Sequence, residues 1–498
     1  MSKAYYLGVD QGTTGTTTLV LDEHWNLCGS AYREHTQYYP APGWVEHDPE
    51  EIWHKTREAI AAALAAARLH AREIRALGLA NQGETCLVWD KTTGRPIYNA
   101  IVWQDRRTSA AAESLKAAHE QMISQKTGLP VDAYFSGLKT QWILDHVPEA
   151  RRRAERGELM AGTLDTYLLW KMTGGQLRLT DPSTASRTML FNIHTGQWDE
   201  QLLGLLNVPC SVLAEVSDTA GRLGYTCPES FFDARVPIGA SVVDQPAALF
   251  GQACLQKGSL KTTYGTGCFM LMNTGEAPVR SPNGLVTTVA WRLSGKTTYA
   301  LDGGVYIAGA AVQWLRDGLG IIGSAAESEA LAAAVPDTGG VYFVPAFVGL
   351  AAPYWDQYAR GMIIGITGGT RRAHIVRATL EAIAFQVREN LDVMRQDSGM
   401  AIEVMRADGG AAANEFLMQF QADILGVPVD VPVIHETTAL GAAYLAALGV
   451  GDFHRPEELG ENWKRRRRYE PAISEDAREA LLAGWKRAVA RCRQWAES

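Results

Sequence analysis

The chain has 498 residues, 46% of them hydrophobic and 20% charged, with a net charge of −8. That length supports two large domains with their own cores, and the acidic balance offers no broad electrostatic basis for binding nucleic acid or a membrane surface. No apolar run reaches the ~20 residues that span a bilayer, the N-terminus lacks a signal-peptide pattern, and the seven scattered cysteines form no Cys-x-x-Cys pair, so reduced thiols and a cytoplasmic location are expected.

Residues 5–9 are a short apolar run leading into Asp10-Gln11-Gly12-Thr13-Thr14-Gly15. The pattern predicts a strand, a Gly/Thr turn and a returning strand over 17–22. Glycine lets such a turn approach a phosphate closely, and its N–H groups and small hydroxyls can hold one. Asp10 stands where a carboxylate could hold Mg2+ through water. No Gly-x-x-x-x-Gly-Lys-Thr is present here, so this is not a P-loop. Residues 26–37 continue the sheet and 39–44 form a loop. Asp48-Pro49-Glu50-Glu51 opens a helix with an N-cap acid, a proline at the first turn and two acids favoured by the helix dipole. Its Ala-rich continuation predicts helix to about Arg72. Strands over 74–80 and 86–89, a turn near 90–94 and apolar helices over 140–146 and 164–172 follow. A strand over 236–240 then enters Ser241-Val242-Val243-Asp244-Gln245.

The second half repeats this order. Lys261-Thr262-Thr263-Tyr264-Gly265-Thr266-Gly267 is again strand and Gly/Thr turn, within a hairpin over 259–274. A hairpin over 287–301, a helix over 306–319, a strand over 341–346, a long helix over 373–397 and a strand over 403–407 come next. One Gly/Thr turn is an ordinary β-turn. Two, half a chain apart, point to two similar α/β lobes closing on one nucleotide: an actin-like (ribonuclease-H-like) ATPase fold with a central cleft. A boundary near residue 250 gives expected domains of 1–250 and 251–498, closely packed because no flexible linker separates them. Ser294-Gly295-Lys296-Thr297 looks like the tail of a P-loop, but Ala290 stands where its glycine is needed, and a hairpin turn is predicted. Lys464-Arg465-Arg466-Arg467-Arg468, in an acidic chain, is read as a solvated or acid-paired surface strand.

Asp10 to Thr14 together with Gly43-Trp44-Val45-Glu46-His47-Asp48-Pro49, Tyr98-Asn99-Ala100-Ile101-Val102-Trp103-Gln104-Asp105-Arg106-Arg107, Ser186-Arg187-Thr188-Met189, Ala352-Pro353-Tyr354-Trp355-Asp356 and Ala407-Asp408-Gly409-Gly410 resemble the glycerol-kinase group of the FGGY carbohydrate kinase family. The resemblance covers nearly the whole chain. It implies ATP-dependent phosphorylation of a small polyol, with ATP and Mg2+ as cofactors and a homodimer or homotetramer as the assembly. Asp244 closes an apolar strand before Gln245-Pro246, which fits a cleft-facing carboxylate or a helix N-cap; the resemblance makes it the general base. The resemblance also implies phosphate contacts at Thr13, Thr14, Gly15, Thr266 and Gly267, further nucleotide contacts at Gly309 and Gln313, adenosine contacts at Gly410 and Asn414, and Mg2+ at Asp10. It implies a polyol pocket of Gly83, Glu84, Trp103, Tyr134, Asp244, Gln245 and Phe269, where acids and a phenol meet hydroxyls and aromatic rings wall the carbon skeleton.

Two positions depart from that group. Asn81-Gln82-Gly83-Glu84-Thr85 has glycine where the group carries arginine, and Thr17 replaces another arginine near the phosphates. Losing a charged donor at 83 costs about 1.5–3 kcal/mol if nothing replaces it, and it opens space. Glycerol is the leading single candidate. The losses raise the competing expectation that another polyol or sugar (a tetritol, pentitol, ketose or triose) is preferred. A catalytically weak ATP-binding regulator is the third reading.

Overall fold

In the computed structural model, which describes residues 3–496, the first apolar run is strand β1 (Tyr5–Gln11) and returns as β2 (Gly15–Asp22). The Gly12 N–H closes the turn between them on the Gly15 carbonyl at 2.9 Å. β3 (Leu27–Glu34), β4 (Ile74–Asn81), β5 (Ala220–Tyr225), β6 (Pro237–Val243), β7 (Leu260–Tyr264), β8 (Cys268–Gly275), β9 (Val286–Leu293), β10 (Lys296–Val305), β11 (Met405–Asp408), β12 (Val429–Pro432) and β13 (Arg465–Tyr469) join them in one sheet. Its order is β13-β12-β11-β7-β8-β10-β9-β5-β6-β4-β1-β2-β3.

The order contains one motif twice. In the first half β1 pairs antiparallel with β2 and β2 with β3, while β4 lies parallel beside β1 and β6 parallel beside β4. In the second half β7, β8, β10, β11 and β12 repeat those relationships. The two Gly/Thr turns therefore occupy equivalent places. The halves meet in the sheet through one bridge, Ala220 to Leu293. Two antiparallel turns, each opening a mixed sheet flanked by helices, constitute the twofold α/β architecture read from the sequence.

Helix α1 (Pro49–Ala67) starts as expected, with the Asp48 carboxylate accepting from the Glu50 N–H. It stops five residues earlier than the Ala-rich run suggests. Arg68 takes a left-handed conformation (φ 59°), and its N–H and that of Leu69 close on the carbonyls of Ala65 and Leu64. This left-handed end turns the chain back towards β4. The helix expected at 306–319 is the shorter Gly309–Asp317, and the strand expected at 341–346 is Tyr342–Val344. Ser294 and Gly295 (φ 50° and 76°) make the hairpin turn between β9 and β10. The arginine run forms β13, where Arg465 and Arg468 pair with Asp430 and Arg467 with Glu415. All seven cysteines are free thiols. No helix among the described residues is long and apolar enough to cross a membrane.

Further helices matter for the site: α2 (Asp244–Gly251), α3 (Gly309–Asp317), α4 (Arg372–Ser398), α5 (Glu415–Leu425) and α6 (Thr437–Gly449). α6 comes from the second half of the chain yet lies on first-half strands. A Cβ on Gly8 of β1, Gly78 of β4 or Gly239 of β6 would overlap the carbonyl oxygens of Ala439, Ala442 and Ala446, one turn apart along α6. The helix thus rests backbone to backbone on three neighbouring strands. α6 also crosses α2, with Gly441 against Ala247 and Gly251 against Thr437.

Two motifs far apart in sequence meet in a smaller sheet built from Glu46–His47, Ala100–Ile101, Cys86–Asp90 and Leu159–Thr163. Arg107 is buried there. Its Nη2 donates to Glu46 at 2.7 Å and to Asp105 at 2.8 Å, and its guanidinium carbon lies 3.8 Å from the Trp44 ring centre and 4.6 Å from that of Trp142. A planar fork can serve two carboxylates and stack at once, whereas an ammonium cannot. Arg107→Lys is therefore expected to lower unfolding stability by about 2 kcal/mol, read as a shift in urea midpoint at unchanged slope.

Candidate active site

The end of β4, the start of α2 and the β7–β8 hairpin converge on a cleft. Thr13, Gly83, Glu84, Trp103, Tyr134, Asp244, Gln245 and Phe269 line it, together with Arg187, Thr288 and Asp302. The structure thus brings every residue assigned to the polyol pocket by resemblance to one wall-to-wall site.

Trp103 joins this pocket to the first Gly/Thr turn. Its indole Nε1–H donates to the Thr13 hydroxyl at 2.8 Å, and its ring meets that of Tyr134 edge-on at 5.6 Å. The Thr13 carbonyl accepts from Gln37, whose own carboxamide oxygen bonds His47 at 2.7 Å. Thr14 is exposed and its hydroxyl lies 3.1 Å from that of Tyr32. Gly15 is buried against Tyr32 and Arg33, so a side chain there would collide.

The second turn is laced to α3. The Gly265 carbonyl accepts from the Gly309 N–H at 3.0 Å, and the Thr266 carbonyl accepts from Ala308 and Ala310 at 2.9 and 3.1 Å. A Cβ on Gly309 would stand 2.5 Å from the Gly265 oxygen, which explains glycine at that helix start. Thr266 is exposed at the tip, Gly267 is buried against Val305, and Gln313 is exposed one turn along α3. Gly410 lies just after β11, where Gly409 packs on Tyr264 of β7. The Asn414 carboxamide oxygen caps α5 by accepting from Leu417 at 2.9 Å, and its nitrogen donates to Ser328 at 3.2 Å. Its side chain is thus already engaged in local structure.

Asp244 is the first residue of α2, and its carboxylate accepts from the Gln245 N–H at 2.7 Å. Burial, then the Glu84 carboxylate, push its pKa up to about 6, against the pull of Lys261. A carboxylate at that value is a base near neutrality. Asp10 has one carboxylate oxygen buried without any hydrogen-bond partner. Burial first, then Asp244 and Glu436, hold its pKa well above the usual carboxylate range. Lys261 acts on Asp244, but one oxygen of Asp10 in this cluster of three acids is left unsatisfied. No three His, Cys, Asp or Glu side chains among the described residues are placed to ligate a metal together. Asp10 is the group that would hold a hydrated cation such as Mg2+, through the ion's waters.

Sequence reasoning missed four charged groups. Lys261 of β7 is fully buried and donates to the Gln245 carboxamide oxygen and, at 3.0 Å, to Thr263. Burial lowers its pKa, opposed by Asp408 and Asp244. Lys261 thereby holds the Gln245 carboxamide at the wall of the cleft. Arg187, also buried, donates from Nε to Glu84 at 2.6 Å and places Nη1 3.2 Å from Asp302. Lys139 underpins the wall by donating to the carbonyls of Glu84 and Tyr134. Asp244 drew notice by closing an apolar strand before Gln-Pro, whereas Lys261 and Asp302 sit inside strands and gave no such cue.

The chain is similar to known proteins over its whole length. The FGGY family of carbohydrate kinases matches it twice, the N-terminal domain over residues 5–251 and the C-terminal domain over 260–450. Glycerol kinase 2 of Thermotoga maritima is 55% identical over 492 residues, 99% of each chain. Glycerol kinase of Carboxydothermus hydrogenoformans is 55% identical over 496 residues, again 99% of each. A crystal structure of Plasmodium falciparum glycerol kinase with ADP superposes with a TM-score of 0.91 at 36% identity, covering 98% of both chains.

Proposed function

The chain belongs to the FGGY family of carbohydrate kinases, and on that premise we propose that it transfers the γ-phosphoryl group of ATP to glycerol, giving sn-glycerol 3-phosphate and ADP. The observation that carries this reading is the position of Asp244. It stands in a cleft with hydroxyl-binding groups around Glu84, Tyr134 and Gln245 on one side and Asp10 and the first Gly/Thr turn on the other. The relatives named above favour glycerol over the tetritol, pentitol, ketose or triose alternatives, and the pocket retains a guanidinium in Arg187.

Asp244 accepts the proton of the terminal hydroxyl as that oxygen attacks the γ-phosphorus and the bond to the β-phosphate oxygen breaks. Glu84 and Gln245 fix the polyol, while Trp103 and Phe269 wall its carbons. Thr13, Thr14, Gly15, Thr266 and Gly267 present N–H groups and hydroxyls to the phosphates. Gly309, Gln313, Gly410 and Asn414 complete the nucleotide side. Asp10 would hold Mg2+ through its waters, and the bound ion would supply positive charge to the phosphate oxygens. In this reading 1–250 carries the polyol site and the first turn, and 251–498 the second turn and the adenosine site. A cytoplasmic homodimer or homotetramer is an expectation from resemblance.

The test is ADP release with Mg-ATP across glycerol, dihydroxyacetone, glyceraldehyde, erythritol, pentitols and ketoses. Glycerol is expected to give the highest kcat/KM. Preference for another compound would make Gly83 a specificity change, and ATP binding without turnover on any of them would favour the regulator reading.

A further inference from the structure

A hydroxyl both donates and accepts, so a pocket needs groups of both kinds to hold a polyol. The cleft contains three carboxylates, Glu84, Asp244 and Asp302, which only accept when ionised. The Trp103 N–H, a natural donor, is already spent on Thr13. Arg187 adds a charged donor to those of the Tyr134 hydroxyl and the Gln245 carboxamide, which also line the cleft. Its side chain is 7% exposed and lines the cleft. Nε is committed to Glu84, whereas Nη1 is buried without a hydrogen-bond partner, its 3.2 Å approach to Asp302 being a charge contact only. The backbone that carries it is fixed. The short helix Pro182–Ala185 is capped by buried Asp181, the Arg187 N–H bonds the Thr184 carbonyl at 3.0 Å, and neighbouring Ser186 bonds Thr288 across the molecule at 2.9 Å.

Gly83 belongs to the same arrangement. A Cβ at 83 would lie 2.9 Å from Val243 Cγ2 and 3.5 Å from Arg187 Cγ. Any side chain there presses on the residue before Asp244 and on the stem of Arg187. We propose that Arg187 is a substrate-binding residue: its Nη1 donates to a glycerol hydroxyl other than the one phosphorylated, that hydroxyl donates in turn to Glu84 or Asp302, and Gly83 keeps the guanidinium in place. The pocket thereby has its cation although position 83 lacks one. The inference rests on the polyol-kinase reading.

The test is a cycle between side chain and ligand hydroxyl. Binding of glycerol, 1,2-propanediol and 1,3-propanediol is measured by calorimetry for wild type and Arg187→Met. For wild type, removing the hydroxyl that Arg187 holds should weaken binding about tenfold or more, the worth of a charge-assisted hydrogen bond. In Arg187→Met the same removal should change binding less than about twofold. Equal penalties in both proteins, for each diol, would show Arg187 to be structural only and overturn the proposal. Should the Met variant not fold, Arg187→Lys keeps the charge with a different donor geometry; KM for glycerol should rise about tenfold with kcat nearly unchanged, and an unchanged KM would overturn the proposal. Gly83→Arg is expected to leave KM for glycerol equal or higher, and a tenfold lower KM would show instead that the pocket lacked a cation. Calorimetry needs no turnover. An inactive wild type that binds glycerol therefore counts against the kinase reading while Arg187 is still tested, and one that binds none of the three compounds overturns both.

Discussion

Asp244→Asn is expected to cut kcat roughly a thousandfold while leaving glycerol binding within a few-fold of wild type. The amide keeps the shape and can still accept from the Gln245 N–H, but it cannot take a proton. Steady-state ADP release and calorimetric binding of glycerol separate the two effects. The pH profile follows from the same group. The base must be ionised, and its pKa lies at about 6, so kcat/KM should fall about tenfold per pH unit below that value. Stability runs the opposite way. The folded value exceeds that of an ordinary aspartate, so ionised Asp244 weakens the fold above pH 6, and this weakening disappears as pH falls below about 4. The cost is about 1–2 kcal/mol for a carboxylate that still faces cleft water. The Asn variant should therefore melt above wild type at pH 8 and level with it near pH 4. An Asn variant with wild-type kcat would remove Asp244 from the chemistry altogether.

Gly78→Val should lower unfolding stability by at least about 3 kcal/mol. The first atom of any side chain at 78 falls on the Ala442 carbonyl oxygen. Neither a strand in the middle of the sheet nor a helix pinned on both flanks by Gly8 and Gly239 can retreat cheaply. Gly204→Ala is the matched control, because nothing lies within 4 Å of its added carbon. Urea unfolding of the two variants reads the difference. A Gly78→Val protein as stable as the control would mean that α6 is not seated on the strands as described.

Local chemistry was legible wherever the chain signals it locally. The Gly/Thr turns, the Asp48-Pro49 helix start, the Ser294-Gly295 hairpin and the acid-paired arginine strand all depend on neighbours within a few residues, and the structure has each of them. The end of α1 did not show, because Arg68 adopts a left-handed cap that glycine more often provides. Arg187 stood in a quoted motif, but only the fold reveals that its guanidinium reaches Glu84 and Asp302, residues 103 positions before it and 115 after it. Lys261 looked like an ordinary strand residue, and its burial behind Gln245 is a tertiary fact. Gly8, Gly78 and Gly239 each interrupt an apolar strand, a pattern that marks close backbone approach; what approaches them lies more than 200 residues further along the chain.

That separation has a consequence for the protein's birth on the ribosome. The strands of the first half emerge complete by Val243, but the helix that covers their glycine face ends at Gly449. At about 5–20 residues per second, the nascent half waits roughly 10–40 s with that apolar face bare. During this interval it is an open sheet seeking a cover, the state in which chaperones find clients and neighbouring chains find each other. Synthesis of the last quarter of the polypeptide is thus the closing step of folding for the first.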